Sequence, residues 1–362
     1  MKKIVLTGGG TAGHVNPNIA LIPFLKEKGY HISYIGSKDG IEKTLINPLD
    51  IDYYEISTGK LRRYLDFKNL TDSFRVIKGI SDATSIIRKI KPNIIFSKGG
   101  FVSVPVVIGG YFNKVPVIIH ESDISPGLAN RISIPFAKKV CATFPEALQN
   151  IPKDKAILTG TPIREELFKG SKEKGLKLCN FKNNKPIILI MGGSLGSVKI
   201  NTVLRECLDN LLLDFNIIHL CGKNNLDNKI NKEGYYQLEY ATNELKHLLA
   251  ISDLIVSRAG SNAICELLAL KKPNLLIPLS KNASRGDQIL NANSFKKQGF
   301  SVVLYEEELS KNNLIENIHN LYNQKRNYVN TMNSSSLNNA IDKILEQIDN
   351  ICKYWFFFIK HI

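Results

Sequence analysis

Two glycine-rich turns, roughly half a chain apart, constrain this sequence more than any other feature. The first, Gly8-Gly-Gly-Thr-Ala-Gly13, follows the β-branched run Lys3-Ile-Val-Leu-Thr7. The second, Gly192-Gly-Ser-Leu-Gly196, follows Pro186-Ile-Ile-Leu-Ile-Met191. Each precedes a stretch with apolar residues at helical spacing: Ile19, Ala20, Ile22 and Leu25 in one case, residues 198–213 in the other. An unbroken apolar run, a turn that needs glycine and a helix form the start of a βαβ unit. Further short apolar runs fall at 31–35, 94–96, 115–119, 216–220, 254–256 and 274–277. Strands that alternate with helices predict an α/β class built on parallel, doubly wound sheets. A chain of 362 residues exceeds the size at which one core usually stops growing. The repeat therefore predicts two similar domains, 1–160 and 161–334, with an amphipathic helix at 335–350 that packs on either one.

Composition narrows the class further. With 43 % hydrophobic and 22 % charged residues, the chain is neither disordered, collagen-like nor coiled coil. Lys+Arg 48 against Asp+Glu 33 gives 48 − 33 = +15, which points to an anionic partner: nucleic acid, a phosphorylated substrate or a membrane face. The six cysteines, at 141, 179, 207, 221, 265 and 352, contain no CxxC pair and mostly sit in apolar surroundings. They read as reduced core residues of an intracellular protein. The basic start Met1-Lys2-Lys3 leads into too short an apolar run for a signal peptide, and no segment approaches the roughly 20 apolar residues of a membrane span.

Ligands of doubly wound sheets bind at the carboxyl ends of the strands, so two such domains predict a cleft lined by the loops after their strands. Gly8-x-Gly10-x-x-Gly13 fits a dinucleotide fingerprint, which by itself says only that backbone N–H groups can approach an anion or a sugar. The acid that a dinucleotide enzyme places at the end of its second strand has a late counterpart in Asp39. Ser194, in the second turn, adds a hydroxyl to a possible phosphate cradle. His14 directly follows the first turn, where a helix N-terminus favours the neutral imidazole that can accept a proton; the other reading is a polar cap residue. Glu121, just after the run 115–119, is the second candidate base. Gly260 and Ser261 start a helix that carries Glu266 in its second turn, where a carboxylate suits a ribose diol or, alternatively, is a solvated helix-face charge. Residues 284–291, which include Gln288, form a polar lead into a helix, suited to sugar hydroxyls. Arg164, at the domain junction, offers a guanidinium to a diphosphate. Asp50-Ile-Asp52 reads as a turn before a strand, so no metal site is expected.

Taken together, these segments resemble the MurG family of glycosyltransferases. The matching stretches are Gly8-Gly-Gly-Thr-Ala-Gly-His14, Ser97-Lys-Gly-Gly-Phe-Val-Ser103, His120-Glu121 with Pro126-Gly127, Gly160-Thr-Pro-Ile-Arg164, Gly192-Gly-Ser-Leu-Gly196, Arg258-Ala-Gly-Ser with Glu266, and Asp287-Gln288 with Asn291. They run in family order over about residues 3–295. The resemblance implies a GT-B fold, a UDP-N-acetylglucosamine donor held mostly by the second half, and no cofactor. It implies inverting, metal-independent transfer to the C4 hydroxyl of a lipid-linked muramoyl-pentapeptide, on the cytoplasmic face of the cell membrane. By position, Arg164 and Ser194 serve the diphosphate, Glu266 the ribose and Gln288 the sugar hydroxyls. Thr11, Ala12 and Gly13 close on the donor, and His14 lies near the acceptor hydroxyl. Four positions depart from the family pattern: Ala12 stands for a glycine, Ser122-Asp123 for Gln-Asn, and Thr242 near an isoleucine that caps uracil in some members.

Such an acceptor requires contact with a membrane. Lys60, Arg62, Arg63 and Lys68, followed by Leu70, Phe74 and Ile77 with Arg75 and Lys78 between them, suit docking on an anionic leaflet, unless that apolar stripe faces the core. The aromatic run Tyr354-Trp-Phe-Phe-Phe-Ile359 suits a membrane interface or a packed end. A nicotinamide-dependent oxidoreductase would explain the first turn but not the second or the Arg258–Gln288 block. A sugar-nucleotide epimerase of the same fold is the nearer rival. A nucleic-acid binder needs aromatic side chains interleaved with basic ones, a pattern absent outside 60–78, so no nucleic-acid partner is expected.

Overall fold

The computed structural model describes residues 2–59, 68–193, 196–281 and 286–359, with the backbone alone at 68–73, 336, 338 and 354–359. The chain forms two compact units, Met1–Arg164 together with Asn339–Ile362, and Glu165–Asn338. The break falls four residues later than position 160, so Arg164 closes the first unit.

The first unit holds seven strands: β1 (Lys2–Thr7), β2 (Tyr30–Ser37), β3 (Asp52–Ile56), β4 (Ile94–Ser97), β5 (Val117–Glu121), β6 (Lys139–Ala142) and β7 (Ala156–Leu158). They form one parallel sheet in the order β3-β2-β1-β4-β5-β6-β7. The chain runs outward from β1 to β3 and then returns to the other side of β1. The loops after β1 and β4 therefore flank the point where strand order reverses, the usual ligand position in such sheets. Helices cover both faces, which is why Ile4, Leu6, Ile94, Phe96 and Ile118 are all buried and the strands read as unbroken apolar runs.

Part of that cover comes from the far end of the sequence. The helix Ala340–Ile359 places Ile344, Leu345, Ile348 and Cys352 in the same core as Leu21 and Leu25. Asp349 anchors it, accepting from Lys28 Nζ at 2.7 Å and from the Tyr30 hydroxyl at 3.1 Å. Burial raises the Asp349 pKa, but these two donors and the charges of Lys28 and Lys2 outweigh it and leave the carboxyl below its usual range.

The second unit repeats the plan with β8 (Ile187–Met191), β9 (Asn216–Leu220), β10 (Tyr235–Leu238), β11 (Leu254–Ser257), β12 (Asn274–Leu276) and β13 (Ser301–Val303). The parallel order is β10-β9-β8-β11-β12-β13, with the reversal between β8 and β11. Its core joins Ile188, Ile190 and Val256 to Leu204 and Leu208 of the helix Val198–Leu211, and to Ile318 and Leu321 of the helix Lys311–Asn333. All six cysteines are buried, and none is in a disulfide.

One helix of the first unit carries an apolar surface. Lys68–Ile90 packs against Ser103–Phe112 at Gly109, where a Cβ would lie 3.0 Å from the Thr84 nitrogen. Its stripe does not face the core. Phe74 is 68 % exposed and Ile77 64 %, and Tyr111 and Phe112 on the neighbouring helix are exposed as well. The cations Lys60, Arg62 and Arg63 lie outside the described residues, as do the side chains of Lys68, Leu70 and the aromatic tail. Among the described residues, no helix is long and apolar enough to cross a membrane.

Candidate active site

At the exit of β1 the backbone takes conformations that favour glycine. Gly8 has φ +157° and Gly10 φ +85°; a Cβ on Gly10 would lie 2.6 Å from the Phe101 ring. Thr11 then opens a tight turn, Ala12–His14, closed by the His14 amide donating to the Thr11 carbonyl at 3.0 Å. His14 is not itself in the α-helix, which starts at Asn16. Pro17 has no N–H to give the Gly13 carbonyl four residues back, so the α-helical ladder cannot begin earlier. His14 is half-buried, and its Nδ1 lies 2.9 Å from the Thr11 hydroxyl. When Nδ1 carries the proton and donates to Thr11, Nε2 holds the lone pair. That tautomer is the one that accepts a proton there.

Glu121, at the end of β5, is almost fully buried. Its carboxyl accepts from the Asp123 amide at 2.9 Å, the Gly127 amide at 3.2 Å and Asn130 Nδ2 at 2.8 Å. Burial nevertheless pushes its pKa above the usual carboxylate range, against the pull of these donors. The arrangement braces the loop after β5. Ser122, in that loop, accepts from Lys98 Nζ, itself buried after β4. A cavity of about 910 Å³ opens beside the first glycine turn, lined by Gly10, Ser37, Lys38, Arg75, Lys78 and Phe101 among others.

Asp39 lies two residues past β2 and is exposed. The acid that does approach the glycine turn is Glu42, which sequence reading passed over. It accepts from the Gly10 amide at 3.2 Å and from the Ser37 amide at 3.0 Å, and it is fully buried. It is therefore bonded inward and is not presented to a ribose, as a dinucleotide enzyme would require. The legible signal is Gly36-x-x-x-Gly40-x-Glu42 across the end of β2.

In the second unit, Gly193 and Gly196 both have positive φ, +90° and +76°. A Cβ on Gly196 would stand 2.1 Å from the Cys221 carbonyl oxygen. Ser197 caps the helix Val198–Leu211 by accepting from the Ile200 amide at 3.3 Å. Ser194 lies outside the described residues. Arg258 is buried, and its guanidinium donates to Ser197 Oγ at 2.6 Å, to the Ile277 carbonyl at 3.1 Å and to Glu306. Burial drives the Glu306 pKa up, yet this guanidinium more than reverses it, and the carboxyl ends below its usual range. Arg258 is thus a strut that ties the second glycine turn to the exit of β12. Ser197 and Glu306, its partners, were not singled out from sequence.

Gly260 caps the helix Ser261–Ala269, and Glu266 is its sixth residue, half-buried in the second turn. Gln288, at the start of the helix Asp287–Lys297, accepts through Oε1 from the Ala259 amide at 3.3 Å and the Leu279 amide at 3.1 Å. These bonds bring Gly260 and Gln288 together at the carboxyl ends of β11 and β12. They leave the Gln288 amide nitrogen as the end that can donate to a ligand. Arg164 belongs to the first unit and is half-buried. Asp52 pairs with His31 Nε2 at 2.9 Å and Asp50 is a left-handed turn residue; among the described residues no group of three or more His, Cys, Asp or Glu could hold a metal ion.

Comparison with known proteins places this geometry. Residues 4–142 match the glycosyltransferase family 28 N-terminal domain, and residues 187–348 match the glycosyltransferase family 28 C-terminal domain. The chain belongs to glycosyltransferase family 28. Among its family 28 relatives is the UDP-N-acetylglucosamine–N-acetylmuramyl-(pentapeptide) pyrophosphoryl-undecaprenol N-acetylglucosamine transferase of Clostridium tetani, 62 % identical over 96 % of this chain and 98 % of the relative. The transferase of the same name from Clostridium botulinum strain Kyoto is 58 % identical over 98 % of this chain and 100 % of its own. In fold, the family 28 chain is similar to Acinetobacter baumannii MurG, with a TM-score of 0.76 at 24 % identity, covering 97 % of this chain and 100 % of that one. A UDP-GlcNAc 2-epimerase from Neisseria meningitidis shares the fold at a TM-score of 0.68 and 16 % identity, covering 97 % and 100 %. The parallel sheets of both units are those of GT-B glycosyltransferases.

Proposed function

We propose that this chain transfers N-acetylglucosamine from UDP-N-acetylglucosamine to the C4 hydroxyl of the muramoyl sugar of the lipid-linked pentapeptide precursor, forming lipid II for peptidoglycan. The observation that carries the reading is 62 % identity across 96 % of the chain to a transferase of that name. The fold likeness to an epimerase, at 16 % identity, carries no such weight, and the inward-facing Glu42 argues against a nicotinamide enzyme.

In this reading the second unit holds the donor. Glu266 accepts from the ribose hydroxyls, and Gln288, with Oε1 already engaged, donates through its amide nitrogen to the sugar. Gly260 and Ser261 supply the helix start beside the nucleotide. Ser194 and Arg164 meet the diphosphate, and Thr11, Ala12 and Gly13 are donor ligands from the first unit's loop. The acceptor oxygen attacks C1 of the sugar, the C1–O bond to UDP breaks with its electron pair leaving on the diphosphate, and the configuration at C1 inverts. His14 takes the hydroxyl proton on Nε2, in the tautomer whose Nδ1 donates to the Thr11 hydroxyl. Glu121 is the weaker candidate, because its two oxygens already serve the loop after β5.

The enzyme acts peripherally at the cytoplasmic face of the membrane. The support is the exposed pair Phe74 and Ile77 beside Arg75 and Lys78, a pattern suited to an anionic leaflet. Incubation with UDP-N-acetylglucosamine and a muramoyl-pyrophosphoryl lipid tests the reaction: UDP release that depends on the lipid is expected. UDP release without it would point to hydrolysis, and conversion of UDP-N-acetylglucosamine to another UDP-sugar without it to epimerisation.

A further inference from the structure

We infer that Glu42 is a positioning residue for transfer, which fixes the first glycine turn in the shape that presents Thr11 and His14. The inference rests on the reading of that turn given above. Glu42 sits in the short helix Ile41–Ile46 and has no solvent exposure. Burying a carboxylate is costly unless its oxygens are satisfied, and here they are. Oε2 accepts from the Gly10 amide at 3.2 Å; Oε1 accepts from the Ser37 amide at 3.0 Å and from the Ser37 hydroxyl. One carboxylate thus joins the backbone after β1 to the backbone after β2.

The surroundings are shaped to that group. A Cβ on Gly9 would lie 2.6 Å from the Glu42 carboxyl carbon, one on Gly40 2.4 Å from it, and one on Gly36 2.9 Å from Glu42 Cγ. Three glycines therefore make the space that the side chain fills. The turn is held on its other side too, since a Cβ on Gly100 would meet the Gly9 carbonyl oxygen at 2.3 Å. Below it, the Tyr34 hydroxyl donates to the Gly8 carbonyl at 2.6 Å. Gly10 is the last residue before Thr11, so its amide is the point at which Glu42 sets the path of the Thr11–His14 turn. Glu42 touches no ligand; it acts through Gly10.

The test is Glu42→Gln in the full chain. Glutamine keeps the volume, but its amide end is a donor facing donors, so one bond to Gly10 or Ser37 is lost. Two measurements are made beside the parent. Amide hydrogen exchange over residues 8–14 should quicken at least about tenfold, and this does not depend on any activity. In the lipid-dependent UDP-release assay, kcat should fall about 100-fold, the scale of a misplaced catalytic group, while KM for UDP-N-acetylglucosamine stays within about twofold and exchange in β1, β4 and β5 stays parental. A merely structural role would quicken exchange through those strands of the first unit as well, with the fall in kcat following that loss of folded unit; that result overturns the inference, as does unchanged exchange over the turn. If the variant does not fold, Ser37→Ala removes one donor and leaves both amides bonded. A smaller fall in kcat in the same sense is then expected, and parental kcat would overturn the inference. A parent with no lipid-dependent release overturns the proposed reaction and the catalytic role with it, while the exchange result still decides whether Glu42 holds the turn.

Discussion

Thr11 and His14 are coupled by one side-chain hydrogen bond of 2.9 Å, and when Nδ1 is the donor in it the ring takes a proton on Nε2. His14→Ala should lower kcat by about 10²–10⁴-fold, the usual worth of a general base, with little change in UDP-N-acetylglucosamine affinity. Steady-state kinetics with calorimetry checks it, and near-normal turnover would remove His14 from the chemistry. Glu266→Ala should weaken UDP binding by roughly 1.5–3 kcal/mol, the value of bonds to a charged group. Unchanged affinity in a folded variant would end the ribose assignment. Residue types that can do this chemistry stand out in a sequence because they follow glycine turns and strand ends. Their partners do not. Arg258 meets Glu306 across 48 positions, and Gln288 meets the Ala259 amide across 29. Nothing local announces either pair, so the strut role of Arg258 and the link from Glu42 to the Gly10 amide, 32 positions away, emerge only with the fold.

Elements were legible in proportion to their length and apolar continuity. Ile187–Met191 is an unbroken apolar run and Asn216–Leu220 carries Ile217, Ile218 and Leu220, and both are legible as strands. Lys139–Ala142, inside its sheet, and the edge strands Ala156–Leu158, Tyr235–Leu238 and Ser301–Val303 are not legible; each spans three or four residues, too short to show a period. The helix at the C-terminal end begins at Ala340 and not at 335, because a tight turn over Ser336–Asn339 precedes it. For Lys68–Ile90, periodicity alone left the apolar stripe facing either way, and only packing against Ser103–Phe112 turns Phe74 and Ile77 outward. Replacing Phe74 and Ile77 with Ser and reversing Arg75 and Lys78 to Glu should reduce sedimentation with anionic vesicles several-fold at low salt. UDP affinity should not change. Equal sedimentation by variant and parent would return this helix to an ordinary surface element.

At the scale of the whole molecule, each unit carries a buried histidine whose charge the fold refuses. Burial holds His219 down at about 3, helped by the charge of Arg205; Tyr235 and Asn201 bond its two nitrogens. His120 lies well below its usual value, first through burial and then through Lys98. Above about pH 6.5 both are neutral folded or unfolded. As pH falls below that, the unfolded chain takes up protons that the folded chain does not, and stability drops by about 1.4 kcal/mol per pH unit for each. Glu121 works in the opposite sense, since its raised pKa favours folding as pH falls, so the clean signal belongs to the second unit. His219→Gln should flatten the loss of stability between pH 6.5 and 5 by about one proton, read from urea melts. An unaltered slope would place the linkage elsewhere.

The polypeptide visits the first unit twice, and this orders events in time. During translation, residues 339–359 emerge after everything in the second unit. Until they do, the face that Ile344, Leu345, Ile348 and Cys352 will cover is open, and Lys28 and Tyr30 lack Asp349. The half made first is therefore the half finished last. A nascent or clipped chain that stops near 338 would carry a complete second unit and an unsealed first one, marked for proteolysis by its own exposed interior.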